Sequence, residues 1–404
     1  MDTTAPPAAA SLAGRRCAVV VYSYFPADPR PRREARALVE AGMEVDYLCL
    51  REHPDQPRHE TVDGIRVTRM PMRRRRRGKL TYGLQYLAFL LFALGTVSRR
   101  ALRDPYHLVH VHNMPDVLVF SAVGARRRGA RVLLDLHDPM PELMEGIFGL
   151  GPDHRLVRLL RRLERWSLAF ADHAVTPNQA FRDLFVSRSC APAKMSIVMN
   201  TPEESIFDPA VARPEQPRDP GAGFVLMYHG SLVERHGLDT ALAAVASLRE
   251  AMPDLRFEIY GHPTAYLDTI LAEITAHGLD EVVAYRGSRD LPGIARAIAA
   301  CDLGLVPNHR TTFTELNLPT RLFEYLAMDR PVIAPDTRGI RDYFAAEDML
   351  YFEPGDAAGL ARRIAWVREN PVAVRQIVAR GRAVHREHRW ERERAILLDI
   401  VSRL

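Results

Sequence analysis

The segment Asn317-Leu318-Pro319-Thr320-Arg321-Leu322-Phe323-Glu324-Tyr325-Leu326-Ala327-Met328 carries the chain's most telling chemistry. It reads as a polar loop, a short helix and a turn, with Val332-Ile333-Ala334 following as a buried strand. Leu322, Phe323, Tyr325 and Leu326 belong inside, and Glu324 sits among them. A carboxylate on an apolar helix needs a partner, because burying it alone is costly. Hydroxyl groups of a sugar or ribose would serve, and the helix start offers amides to a phosphate. Tyr228-His229-Gly230-Ser231-Leu232-Val233-Glu234-Arg235-His236-Gly237 lies between a strand and a helix. Gly230 lets the backbone approach a ligand, Arg235 can offer a planar fork to a pyrophosphate, and His236 can add a donor. The plainer reading of this stretch is a surface loop with an ordinary arginine.

Three further segments leave strand ends. In Leu134-Asp135-Leu136-His137-Asp138-Pro139-Met140-Pro141-Glu142, His137 can bond a substrate hydroxyl or steady a leaving phosphate, or be a satisfied loop residue. In His110-Val111-His112-Asn113-Met114-Pro115-Asp116, the two histidines share a strand face. That spacing suits a metal, but no third ligand stands nearby in sequence, so a structural or acceptor-side role is favoured. After the first strand, Tyr22 to Glu34 carries Arg30, Arg32 and Arg33, which face either an anionic acceptor or solvent. A dinucleotide site would show GxGxxG here; its absence argues against an NAD enzyme.

These segments need a scaffold, and the pattern supplies one. Strands are expected at Cys17–Tyr22, Val45–Leu50, Leu108–His112, Arg131–Leu136 and His173–Pro177, with helices at Arg32–Ala41, around Val117–Arg128 and at Leu156–Ala171. Prolines 209, 214, 217 and 220 mark a linker. Alternation restarts with strands at Phe224–Tyr228, Leu255–Tyr260, Val282–Arg286, Leu303–Val306, Val332–Ala334 and Met349–Phe352. Continuous apolar strands separated by helices imply parallel sheets covered on both faces. The expected fold is α/β: two doubly wound Rossmann-like domains facing across a cleft, with ligands beyond the carboxyl ends of the strands. The division is residues 1–14, a disordered tail; 15–206, an acceptor-binding domain; 207–223, a linker; 224–380, a nucleotide-sugar domain; and 381–404, a helix packing back on the first domain.

The 404 residues carry a net charge of +5, with arginines clustered at 73–77, at 126–128 and along 155–165. No zinc spacing, helix-turn-helix or basic-aromatic motif points to nucleic acid. Four isolated cysteines fit a reduced, buried, cytoplasmic state. The first residues lack the basic start and apolar core of a signal peptide. Leu80 to Val97 is largely apolar and flanked by arginines. It admits three readings: a buried helix, an interfacial helix on anionic lipid, or a membrane span, for which it is short.

Taken together, Val109–Asp116, the His137-Asp138 loop, Val198-Met199-Asn200-Thr201-Pro202, the Gly230 loop and Leu318–Glu324 resemble, in order, the retaining family-4 (group 1) glycosyltransferases of the GT-B fold. The resemblance runs over nearly the whole chain. It implies a nucleotide-diphosphate sugar held mainly by the second domain, an acceptor held mainly by the first, and metal-independent transfer with retention. On that reading His137, Arg235 and Arg321 are catalytic. Gly230, Ser231, His236, Glu315, Asn317, Leu318, Pro319, Thr320 and Glu324 bind the donor. Arg30, His112, Asn113 and Asp138 lie on the acceptor side. No metal or cofactor is expected, and no Asp-x-Asp pair is present to hold one.

Two departures from the family pattern stand out. Glu324 matches the second glutamate of an E-x7-E pair, but the first position is Leu316, with Glu315 beside it. Either Glu315 takes that task or backbone amides around Asn317 do. The family's usual phosphate-binding Arg and Lys positions hold Ser231 and His236, leaving Arg235 and Arg321 as the cations. The expected activity is transfer to a polysaccharide or lipid-linked precursor, at the inner face of the cell membrane. The alternatives are a nucleotide-sugar epimerase or a non-catalytic sugar-nucleotide-binding scaffold.

Overall fold

The computed structural model describes residues 12–73, 79–214, 221 and 223–404, without the side chains of 79–82. The chain gathers into two compact units. The first comprises the described residues through Met199 together with Glu391–Leu404; the second is Asn200–Trp390.

In the first unit, β1 (Arg16–Tyr24), β2 (Glu44–Leu50), β3 (His59–Val62), β4 (Ile65–Met70), β5 (Leu108–His112), β6 (Arg131–Asp135), β7 (His173–Thr176) and β8 (Met195–Ile197) form one sheet. The order is β3-β4-β2-β1-β5-β6-β7-β8. Only the edge pair β3/β4 is antiparallel. The inner strands β1, β2 and β5 are buried nearly end to end, as their apolar runs demand. The helices are α1 (Pro29–Glu40), α2 (Lys79–Arg103), α3 (Met140–Phe148), α4 (Arg155–Phe170) and α5 (Gln179–Arg188). The crossover from β1 to β2 runs one way along the sheet; those from β4 to β5, β5 to β6 and β6 to β7 run the other. Right-handed connections therefore put α1 on one face and α2, the 3-10 segment Asp116–Ala122 and α4 on the opposite face.

In the second unit, β9 (Phe224–His229), β10 (Leu255–Tyr260), β11 (Val283–Gly287), β12 (Leu303–Leu305), β13 (Val332–Pro335) and β14 (Leu350–Phe352) pair in parallel, in the order β11-β10-β9-β12-β13-β14. This is the dinucleotide-fold order. Its helices are α6 (Leu238–Leu248), α7 (Ala265–Ala276), α8 (Leu291–Ala300), α9 (Thr320–Ala327), α10 (Ala357–Glu369) and α11 (Pro371–Glu387). The last helix, α12 (Trp390–Arg403), returns to the first unit, where the Met199 amide donates to Glu393 at 2.7 Å.

Several expectations change. Leu12 is buried, so residues 12–14 are a packed turn and not part of a disordered tail; the rest of that expected tail lies outside the described residues. So do Arg74–Arg77 and residues 215–220 and 222 of the expected linker. The units divide at Met199, ahead of the expected residue 206, because the chain leaves β8 there and turns into contacts with the second unit. The final helical stretch is two helices broken at His388–Arg389, and only the second joins the first unit. Strands β3, β4 and β8 were not expected. Among the described residues no helix is long and apolar enough to cross a membrane, which removes the spanning reading of Leu80–Val97. Cys17, Cys49 and Cys301 are buried as expected, but Cys190 is only partly so; all four are free thiols.

Candidate functional site

The direction of strand order reverses between β9 and β12 in the second unit, which is where open α/β sheets bind ligands. Gly230 leaves β9 at φ +136°, and a Cβ there would stand 2.7 Å from Arg321 Nη1. The glycine is thus the space in which the guanidinium lies. Arg321 comes from the first turn of α9. Its Nη1 donates to the His229 carbonyl at 2.8 Å and its Nη2 to Asn308 Oδ1 at 3.4 Å. The group lies 4.9 Å from the centre of the Tyr228 ring. A guanidinium has five donors, so this anchoring fixes its direction and leaves donors for an anion. No side chain caps the start of α9, and Arg321 stands in that first turn, beside the helix's positive end.

Arg235 stacks 5.9 Å from the Phe313 ring centre. Burial, then the Arg321 charge, then the Arg235 charge, hold the His236 ring well below its ordinary range. His236 Nδ1 lies 2.8 Å from the Ser231 carbonyl, to which it must donate. The neutral ring then presents only a lone pair at Nε2. The expected donor role of His236 does not fit, because Ser231 takes its one proton. Tyr228 also donates to that carbonyl, at 2.8 Å, so the loop is pinned from two sides.

Glu324 lies 3.3 Å from His229 Nε2. Burial and the Arg321 charge push His229 down to about 3, so it is neutral beside the carboxylate. Glu315 pairs with Arg310, and its Oε1 accepts the Arg338 amide at 3.0 Å. Its carboxylate is therefore already committed, which weighs against its standing in for the absent first glutamate. The amides of Leu316 and Asn317 donate to the Phe313 carbonyl at 3.1 and 3.0 Å, so two of the backbone amides around Asn317 expected to take that glutamate's task are already engaged. Leu318 is buried, Pro319 precedes α9, and the Thr320 hydroxyl accepts from Asn200 Nδ2 at 3.0 Å.

The first unit reverses direction between β1 and β5, and a second cluster lies there. Asp135, at the end of β6, accepts Arg30 Nε and Nη2 at 2.8 and 2.9 Å. Arg30 also donates to the Val198 carbonyl at 2.9 Å. The expectation that Arg30 faces an acceptor is thus corrected: it is buried and its charge is balanced inside. Asp135 Oδ2 is 3.1 Å from His112 Nδ1 and 3.2 Å from His137 Nε2, and those two nitrogens are 3.0 Å apart. Asp135 accepts a hydrogen bond from each ring and so orients both. His112 is sealed, while the His137 side chain is 21 % exposed, so His137 is the cluster's outlet. Burial lowers His137, but the charge and hydrogen bond of Asp135 outweigh it and raise the ring above its ordinary range. Asn113 donates to Asp116 and to the Asp138 carbonyl, and accepts the His137 amide at 2.8 Å. It shapes the loop and is not left to meet an acceptor.

Glu34, on α1, lies 3.3 Å from Arg30 and 3.5 Å from His110. His110 and His112 stack 4.3 Å apart, sharing a face as expected. Glu34, His110, His112 and Asp135 bring ligand atoms within 4.8 Å of one another, the one such set among the described residues. Arg30 fills both oxygens of Asp135 and its charge opposes a cation there. The residues that went unassigned in the sequence are Glu34, Asp135, His229 and Asn308. Asp135 could have been found, since it stands two positions before His137, on the same strand face.

Two family models match the chain in series. One is described as a glycosyl transferase 4-like domain and covers residues 27–201; the other, glycosyl transferases group 1, covers residues 223–370. The chain belongs to this glycosyltransferase family. A D-inositol 3-phosphate glycosyltransferase from Arthrobacter sp. is 28 % identical over 185 residues. That match takes in 45 % of this chain and 42 % of the relative, so the chain spans less than half the length of that curated protein. A sucrose-phosphate synthase from Thermosynechococcus elongatus superposes with a TM-score of 0.80 at 19 % identity, over 96 % of this chain and 98 % of its own. HepE from Anabaena, solved with UDP-glucose, gives 0.71 at 14 % identity over 96 % and 100 %. The glycosyltransferase group's fold is therefore GT-B.

Proposed function

We propose that the chain transfers a sugar from a nucleotide-diphosphate donor to a hydroxyl acceptor, with retention at the anomeric carbon and without a metal. The observation that carries this reading is the Arg321 guanidinium held in the gap left by Gly230, beside the uncapped start of α9. Breaking the sugar–phosphate bond gathers negative charge on the departing diphosphate. Arg321, Arg235 and the helix amides are set in place before that charge forms, so little reorganisation is needed as it grows. Glu324, beside neutral His229, can accept the ribose hydroxyls. His137 holds a sugar hydroxyl, its ring oriented by its hydrogen bond to Asp135. The acceptor hydroxyl attacks the face from which the diphosphate leaves, and a leaving-phosphate oxygen takes its proton.

The relative that acts on an inositol phosphate supports a hydroxyl acceptor, and the UDP-glucose bound to HepE makes UDP-sugars the first donors to test. The acceptor proposed is a polysaccharide or lipid-linked precursor at the inner face of the cell membrane. A thermal-shift screen of UDP-, GDP- and ADP-sugars identifies the donor, and transfer is then measured with that donor. Arg321→Ala should lower kcat by about 100- to 1,000-fold, as loss of one preorganised charge donor does. Turnover within threefold of the native chain would remove this assignment. The committed Glu315 carboxylate favours one second reading, a sugar-nucleotide-binding subunit without turnover; it predicts a thermal shift with no transfer and no donor hydrolysis.

A further inference from the structure

We propose that α2 and α4 together form a docking surface for an anionic lipid membrane. This rests on the lipid-linked acceptor reading and supplies the partner surface for it. In α2, Leu84, Leu87, Leu91 and Leu102 recur at helical spacing and are 50–67 % exposed. The opposite side, with Phe89, Ala93, Val97 and Ala101, is buried in the core. A helix that already buries one apolar face against its sheet has no folding reason to keep a second row of leucines in water.

The second helix repeats the design with more charge. Leu156, Leu159 and Trp166 are exposed on α4, Trp166 at 57 %. Beside this stripe runs another, Arg155, Arg158, Arg162 and Arg165, all exposed. None of these four forms an ion pair among the described residues. The one acid of α4, Glu164, is buried against Arg188. Between Lys79 and Arg103 there is no acid at all, and Arg99 and Arg103 are exposed. Just before α4, Ile147 and Phe148 add exposed apolar surface at the end of α3.

The two stripes belong to one layer. Both helices pack against the 3-10 segment Asp116–Ala122 on the same face of the sheet. The result is an apolar strip rimmed by cations, with an aromatic ring among them. A second protein would match the leucines, but a row of unpaired arginines calls for a partner with a continuous negative field. A leaflet rich in anionic headgroups supplies that field and takes the leucines and Trp166 into its interface.

The test uses the full chain and vesicles of phosphatidylcholine with or without phosphatidylglycerol. The native chain should float with the anionic vesicles at low salt, stay in solution with neutral ones, and be released by raised salt. Arg158→Gln with Arg162→Gln should weaken binding about 30-fold, from roughly 1 kcal/mol per charge near an anionic surface. Leu84→Ser, Leu91→Ser and Trp166→Ser together should abolish flotation, with an unchanged melting temperature because all three side chains already face water. No flotation of the native chain, or flotation indifferent to both variants, overturns the proposal. So does light scattering that shows a dimer lost in the leucine variant, since a second copy would then own the face. A chain that binds a UDP-sugar but ignores vesicles sinks this inference alone; one that floats but binds no nucleotide sugar sinks the transferase reading and leaves this surface standing.

Discussion

Glu34 is a carboxyl that burial pushes up to about 8 from an ordinary 4.5, against the opposing pull of Arg30. Between those two values the folded chain holds a proton that the unfolded chain has lost. Stability from this group is therefore complete below pH 4.5, declines as pH rises from there to about 8, and levels off above, where both states are ionised. Glu34→Gln keeps the neutral shape and removes the decline. Chemical denaturation at several pH values should show the variant gaining on the native chain by a few kcal/mol, at most about 5, by pH 9. Equal slopes for the two proteins would show that Glu34 is ionised in the fold. His137 moves the same way, since its folded value is raised, but it is present in both proteins and drops out of the difference. None of this was legible in the sequence. Arg30 reads as an exposed cation in a proline-rich loop, because its partner Asp135 lies 105 residues further on. His236 reads as a donor until the Ser231 carbonyl is seen to take its proton. By contrast Gly230, Arg321 and Glu324 could be picked out because each breaks a local pattern: a glycine after a strand, and charges in an apolar helix.

The loop before α9 rests on Gly339, whose amide donates to the Glu315 carbonyl at 2.9 Å. A Cβ on Gly339 would stand 2.4 Å from the Leu316 carbonyl oxygen and 2.6 Å from that of Asn317. Both are backbone atoms, so the loop must move. Gly339→Ala should shift the entry to α9 by a fraction of an ångström and with it Arg321, lowering kcat/KM by about 10- to 100-fold. The stability cost should be about 1–3 kcal/mol. Gly151→Ala, with nothing near its Cβ position, is the control. A Gly339 variant as active as that control would mean the loop does not position the cation. The central strands could be placed from their composition, since burial on both faces writes an unbroken apolar run. Those that escaped lack it: β3 is an exposed edge reading His-Glu-Thr-Val, and β8 has three residues. The extent of α2 to Arg103 was hidden because its last turn swaps leucines for arginines.

The chain passes between its two units twice, at Met199 and again ahead of Glu391. The second passage matters for stability, because α12 closes the first unit from the far end of the sequence. Leu397, Leu398, Ile400 and Val401 are all buried there. Glu393, also buried, takes the Met199 amide at the point where the chain leaves β8. The sequence already points to a terminal helix that serves the first unit; the fold adds that only the stretch from Glu391 on does so, the residues before it staying with the second unit. Removing residues 391–404 strips roughly 1.5–3 kcal/mol of burial per large apolar side chain from the first unit and leaves the second unit's core whole. Calorimetry should then show one transition lowered by more than 10 °C, or lost, while another persists at its native temperature. Adding a UDP-sugar should still raise the persisting transition, because Gly230, Arg321 and Glu324 all belong to the second unit. If both transitions fell together, the two units would not be independent folding bodies. If the persisting transition ignored every nucleotide sugar, the anion-binding assignment to α9 would lose its support.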